Sequence, residues 1–184
     1  MNNFRVQKLQ FTYIVALLST IVTLCLLYAS RSISGVTIFA LVIAITSWSI
    51  ILISSIKTRN KINNIVNSVY KNTNQDEIVS IYNWLTGRYF GINKTTGDIL
   101  VIALNRKGQH VFGFDYKTWS GYEISGNKLT LKFNNLDMPY FEIHDVSVAK
   151  FKHKLDVFLS NVFQRAVIPN KNFSTIVEKI AQTA

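Results

Sequence analysis

Two long apolar runs, at residues 11–29 and 35–56, constrain this chain more than any other feature. Neither run contains a charged or ionisable residue of the Asp, Glu, Lys, Arg or His type. Each is close to the ~20 residues that an α-helix needs to cross a ~30 Å hydrocarbon core. The connection between them, "SRSIS", is so short that the two helices must run antiparallel. The sequence therefore predicts a membrane anchor over residues 1–56, built as a two-helix transmembrane hairpin.

A cleaved signal peptide is the alternative for the first run, since Arg5 and Lys8 would suit its basic start. The run is longer than the 7–15 apolar residues of a signal peptide, and a second span follows at once. These two features favour an anchor.

The flanking cations predict the orientation of the hairpin. Arg5 and Lys8 precede the first run, and residues 57–61 supply three more cations after the second, whereas Arg31 alone lies in the connection. Because positive loops stay inside, both termini are expected in the cytoplasm of a multi-pass inner-membrane protein. The absence of ionisable residues within the runs argues against a transporter or a channel.

Small residues form one stripe on each predicted span: Ala16, Ser19 and Thr23 on the first, and Ala40, Ala44 and Ser47 on the second. Such residues let helices approach closely. The pattern fits packing of the hairpin on itself at least as well as a homo-oligomer, and both alternatives stay open.

Residues 57–87 are predicted to form a juxtamembrane helical linker. An apolar stripe, Ile62, Ile65, Val66 and Val69, continues the second span, and "NTNQ" then breaks the helix. A short amphipathic helix is expected over residues 76–85, ending near Gly87.

Six strands are predicted next, over residues 89–93, 98–104, 110–116, 119–124, 128–133 and 140–144. Their regular spacing predicts an antiparallel meander that curls into a sheet or barrel. A helix capped by Asp145 or Ser147 carries the apolar stripe Val148, Phe151, Leu155, Phe158 and Val162, and it would close the sheet before Pro169. The expected β-domain covers residues 88–168, followed by a short helical tail over 169–184 that includes a helix at 175–181.

A curled antiparallel sheet closed by one C-terminal helix resembles a pleckstrin-homology-like (PH-like) fold. The stretches "YFGINKTTGDILVIAL", "HVFGFDY" and "LTLKFNNLDMPYFEI" are similar to bacterial PH-like domains. Asn135 stands where their turn pattern would have an acid. Such domains bind and assemble other molecules and share no catalytic residues. The resemblance thus implies an α+β protein with a membrane anchor and a binding function.

Catalytic and cofactor signals are weak in this sequence. It contains no phosphate-binding glycine loop, no Gly-x-Ser-x-Gly and no His-Glu-x-x-His. His144 lies near Glu142, but on a strand this pairing is typical of a polar edge face. We expect no enzyme activity, no metal and no cofactor, although an enzyme with an unrecognised site remains an alternative.

The part of the chain after Ile56 is basic, with 17 of the 20 Lys and Arg residues against all ten acids. Near an anionic leaflet each such cation gains ~1 kcal/mol. Lys150, Lys152 and Lys154 are therefore predicted to contact an anionic lipid surface. Nucleic acid is disfavoured, because Tyr116, Trp119 and Tyr122 alternate with apolar residues and are expected to fill the barrel.

Abundant Asn, Ile and Lys with only eight Gly and two Pro indicate an AT-rich gene, as in bacterial mobile elements. The overall layout resembles the entry-exclusion and immunity proteins of conjugative plasmids and phages. That resemblance implies binding to another membrane or membrane-associated protein. The alternative function is a membrane-anchored scaffold or regulator. Exposed turns are the predicted partner-binding loops, with contacts from Asn93, Lys94, Arg106, Lys107, Asn135 and Asp137.

Overall fold

A computed structural model describes residues 4–30, 34–71, 73–105, 108–159 and 172–183. The chain divides into two compact units, Met1–Arg59 and Asn60–Ala184, called here the N-terminal and C-terminal units.

Two apolar helices make up the N-terminal unit: α1, Phe4–Ser30, and the first part of α2, Gly35–Val69. Trp48 joins them, because its indole N–H donates to the Thr20 hydroxyl at 3.3 Å and its ring meets Tyr13 edge-on. The predicted small-residue stripes are buried in this unit at Ala16, Thr23, Ala40, Ala44 and Ser47. Small side chains at these positions allow close helix packing within one chain.

The outer faces of these helices are apolar and uncovered. Phe11, Phe39 and Leu52 are each at least 60% exposed. Both helices are long and apolar enough to cross a membrane. So large an exposed apolar surface is rare on a soluble protein, which agrees with the expected membrane anchor.

Seven strands and two further helices follow in the C-terminal unit. They are β1 Ile78–Asn83, β2 Arg88–Asn93, β3 Ile99–Asn105, β4 Gly108–Phe114, β5 Trp119–Ser125, β6 Lys128–Phe133, β7 Tyr140–His144, α3 Val148–Leu159 and α4 Phe173–Thr183. One antiparallel sheet has the order β1-β2-β3-β4, and a second has the order β5-β6-β7. The expected α+β layout of apolar helices, antiparallel sheet and C-terminal helix is confirmed.

The helix expected over residues 76–85 was wrong, because that stretch holds strand β1. Val79 and Ile81 are buried while Ser80 and Tyr82 are exposed, which is the period-two pattern of a half-buried strand. Only residues 75–77 form a short 3-10 turn, capped by the Asn74 side chain. The predicted extension of the second span into a juxtamembrane helix is correct, since α2 continues to Val69.

Strand β3 has both faces buried, which explains its unbroken apolar sequence "ILVIAL". On one face Ile99 and Val101 join an inner core with the second sheet and α3. On the other face Leu100 and Ile102 pack with α4 and with residues 62–70, which form the end of α2 and the residue after it. The first sheet is therefore the middle layer of the C-terminal unit.

The two sheets do not close into the expected barrel, and the PH-like assignment is not confirmed. A turn capped by Asp115 interrupts the chain between β4 and β5. Side chains bridge β1–β2 to β7: the Asn83 amide donates to the His144 carbonyl, and the Arg88 guanidinium donates to the Glu142 carbonyl. Burial lowers the pKa of Arg88, and its guanidinium lies 5.4 Å from the Phe141 ring centre.

Helix α3 covers the inner core through Val148, Phe151 and Leu155. Asp145 shapes the turn that precedes it, since its carboxylate accepts the N–H and the hydroxyl of Ser147. Helix α4 packs on β4 and starts two residues before the predicted position. Val162 and Pro169 lie outside the described residues.

Candidate recognition surface

The predicted lipid contacts are on the exposed side of α3, but they do not share one face. Lys150 and Lys154 are about 40° apart around the helix, and His153 is about 60° from Lys150 on the other side, whereas Lys152 is about 160° from Lys150. All three lysines are exposed, and none forms an ion pair with another described residue. The structure thus groups Lys150 with Lys154 and separates Lys152 from them.

Two apolar side chains border the Lys150–Lys154 face. Val146 lies just before α3 and is 84% exposed, and Val157 is 45% exposed. By helical spacing, positions 150, 153 and 157 follow one stripe opposite the buried face, and position 154 adjoins it. We call Val146, Lys150, His153, Lys154 and Val157 the α3 stripe.

The first predicted loop, between β2 and β3, is built around a buried residue. Asn93 is only 3% exposed, and its side-chain oxygen accepts the N–H groups of Thr95 and Thr96 at 2.8 and 3.2 Å. Asn93 therefore shapes the turn and is not available as a contact residue. Lys94 is half-buried, and the polar Thr95 is the exposed residue of this loop.

The second predicted loop contains Arg106 and Lys107, which lie outside the described residues.

The third predicted loop connects β6 to β7 and is held by hydrogen bonds. The Asn135 side-chain oxygen accepts the N–H groups of Asp137 and Met138 at 2.9 and 3.1 Å. The Phe133 N–H donates to the Pro139 carbonyl at 2.9 Å, which closes the base of the loop. Met138 packs against the inner core, so the loop is anchored from below.

Leu136, at the tip of this loop, is 101% exposed. Sequence reasoning selected its neighbours Asn135 and Asp137 for their turn chemistry and missed the leucine itself. The signal was a large apolar residue inside the polar turn "NNLDMP", where turn geometry has no need of one.

Tyr140 is a second exposed side chain on this segment. It is 64% exposed, on the outward side of β7. We call Leu136, Asp137 and Tyr140 the loop-tip patch. The ring of Tyr116, by contrast, meets the rings of Trp119 and Phe158 edge-on, with 6.0 Å between centroids in each pair. Trp119 and Tyr122 pack against the inner core, as predicted.

A groove of about 510 Å³ lies between strand β1 and residues 62–71, which form the end of α2 and the turn after it. Tyr70 and Tyr89 line it and are nearly fully buried. Burial raises the pKa of Tyr89 to about 12 and raises the pKa of Tyr70 well above its ordinary value. Both hydroxyls stay protonated at physiological pH, and the Tyr70 hydroxyl donates to the Gly91 and Asp98 carbonyls at 3.5 and 3.4 Å.

The His144 region is a polar edge face, as predicted. β7 is the edge strand of its sheet, and Lys128 of β6 forms an ion pair with Glu142. The hydrogen bond from Lys128 holds the pKa of Glu142 below its ordinary value. Among the described residues, no group of three or more His, Cys, Asp or Glu side chains is arranged to hold a metal ion.

A comparison with known protein families places most of this chain within a described family. A family model described as "Exclusion-determining protein" matches residues 3–170, which is most of the chain. No match is found among curated proteins or among solved structures. The matched region includes both apolar helices, both sheets and α3. This chain therefore belongs to the exclusion-determining protein family.

Proposed function

We propose that this protein acts in entry exclusion: anchored in the inner membrane of a bacterial cell, it reduces the entry of a second copy of the conjugative element that encodes it. The family match over residues 3–170, together with two membrane-length apolar helices, supports this function.

The C-terminal unit is the recognition part in this proposal. The cation distribution favours cytoplasmic termini, since residues 57–61 are basic and the connection at residues 30–34 is short. Little chain is then left outside the membrane for recognition. A cytoplasmic reporter fused after Ala184 should be active and a periplasmic reporter silent; the reverse pattern would contradict this orientation.

Recognition proceeds by binding another membrane or membrane-associated protein, without catalysis. The surfaces available for this are hydrogen-bonded loops with exposed apolar side chains, and His144 and Glu142 belong to a polar sheet edge. These features supply contact area and shape, and they offer no nucleophile paired with a base.

An anionic leaflet is a second partner in this proposal, bound through the α3 stripe. Lys150 and Lys154 are exposed cations on one face, with exposed valines beside them. Attraction to anionic lipid and burial of the valines would act together. The membrane helices keep the bilayer at a high effective concentration near the C-terminal unit.

A transfer assay tests the exclusion function. Recipient cells that express the full chain should receive the encoding element less often than cells with an empty vector. Transfer of an unrelated element serves as the control and should be unchanged. Equal transfer of every element into both recipients would contradict exclusion and favour a scaffold function.

A further inference from the structure

We infer that the loop-tip patch is the anchor with which this protein binds its exclusion partner, a protein that offers an apolar pocket bordered by Lys or Arg. The inference rests on the proposed exclusion function and assigns its contact surface. Its starting point is Leu136, a large apolar side chain whose full surface meets solvent.

Folding does not require a leucine at this position. The turn is formed by the Asn135 side chain, and the contact with the inner core comes from Met138. An isolated exposed leucine would need no explanation. Here Tyr140, four residues further along at the start of β7, is also 64% exposed, so one short segment leaves two large side chains uncovered.

The loop is also pre-organised for binding. Two hydrogen bonds to Asn135 fix its tip, and backbone bonds at Phe133 and Asn134 fix its base. Binding of a partner therefore costs little conformational entropy, because the loop is already ordered. Tyrosine, represented here by Tyr140, is among the residue types that most often dominate binding energy at protein interfaces.

The negative charge of Asp137 favours a protein pocket, rather than a lipid bilayer, as the partner of the loop-tip patch. Asp137 is exposed next to Leu136, and residues 134–140 contain no cation. The neighbouring Lys132 is paired with Glu123. An anionic leaflet would repel this carboxylate, whereas a basic residue at the rim of a protein pocket would attract it. The other described loop, at residues 93–98, presents the polar Thr95 and has no apolar anchor of this kind.

The test compares Leu136→Ser with Leu85→Ser in the full chain, expressed in recipient cells at equal membrane abundance. Leu85 is also an exposed leucine on a turn, the one between β1 and β2, and it is 41% exposed. Loss of an interface anchor weakens binding by about tenfold or more. Leu136→Ser should therefore raise transfer of the encoding element toward the empty-vector level, and Leu85→Ser should leave exclusion intact.

Two further variants define the chemistry of the pocket. Leu136→Met should retain exclusion because it keeps the apolar volume. Asp137→Lys should lose it through repulsion from the basic rim. If the Leu136→Ser protein fails to accumulate, Asp137→Lys still tests whether the loop-tip patch binds the partner, because this variant retains Leu136.

A photoreactive residue at position 136 identifies the occupant. We expect an adduct with a protein encoded by the incoming element, formed only when donor cells carry that element. An adduct with lipid, or with a second copy of this chain, would overturn the inference. If wild type excludes and Leu136→Ser excludes equally well, the inference fails and the proposed function stands. If wild type does not exclude, the proposed function itself fails.

Discussion

Tyr89 is a buried phenol whose ionisation should couple pH to the stability of the C-terminal unit. Burial raises its pKa from 10.0 to about 12, so the folded state resists losing this proton. A raised pKa stabilises the fold fully below pH 10, and the contribution is lost as pH rises through 12. Two pKa units correspond to roughly 2.7 kcal/mol.

Tyr89→Phe should therefore lose less stability than wild type between pH 10 and 12. Denaturant unfolding of the full chain, followed by the fluorescence of Trp84 and Trp119, measures the difference. Tyr70 also has a raised pKa, so the Tyr89→Phe variant should still lose part of its stability at alkaline pH. Parallel stability curves for the two proteins would show that the Tyr89 phenol is not shielded.

At the same scale, the sequence predicted turn residues better than contact residues. Asp145 or Ser147 was expected as a helix cap, and the Asp145 carboxylate accepts two hydrogen bonds from Ser147 in the turn before the helix. Asn93 was expected to be exposed, but its amide is needed inside the turn to accept two backbone N–H groups. Residue type alone does not distinguish an Asn that shapes a loop from one that meets a partner.

At the scale of elements, period-two and continuous apolar patterns predicted six of the seven strands. Strand β1 was missed because "DEIVSIYNWL" also contains apolar residues at helical spacing, and the pairing with β2 that decides between them is not local. The grouping of three lysines on α3 failed for a simpler reason. Residues two apart lie on opposite sides of a helix, which separates Lys152 from Lys150.

The contact between α4 and β4 depends on Gly113. A Cβ atom there would lie 2.8 Å from Val177 Cγ2 and 3.1 Å from Phe173 Cδ1, so only glycine lets the helix sit this close. Gly113→Val should displace α4 and cost about 1–3 kcal/mol. Hydrogen exchange should become faster in Phe173–Thr183 and stay unchanged in Val148–Leu159. Unchanged protection of α4 would contradict this packing.

The α3 stripe is expected to contact anionic lipid. A fluorescent probe at Val157→Cys, with Cys25→Ser, should be quenched by spin-labelled lipid in nanodiscs of anionic composition more than in neutral ones. Lys150→Glu with Lys154→Glu should reduce the quenching, and so should added salt. The matched control, Lys94→Glu with Lys117→Glu, changes the same total charge elsewhere. If both double variants reduced the quenching equally, the effect would come from the net charge of the protein and not from the α3 stripe.

At the scale of the whole molecule, the apolar helices were the most predictable part and the partner surface the least. Their length and lack of charge follow from the bilayer, which acts on every residue of the run in the same way. Recognition depends on a few side chains, such as Leu136 and Tyr140, that folding leaves free to vary. The order of two open sheets likewise depends on long-range pairing that no local pattern specifies.

In the proposed function, this membrane-anchored chain itself lowers entry of the element that encodes it. The most direct measurement is the transfer frequency of that element into recipients in which expression of the full chain is increased stepwise from an inducible promoter. Transfer should fall progressively as the amount of the chain in the membrane rises, while transfer of an unrelated element stays constant. A transfer frequency that is independent of the amount of the chain would contradict the exclusion function.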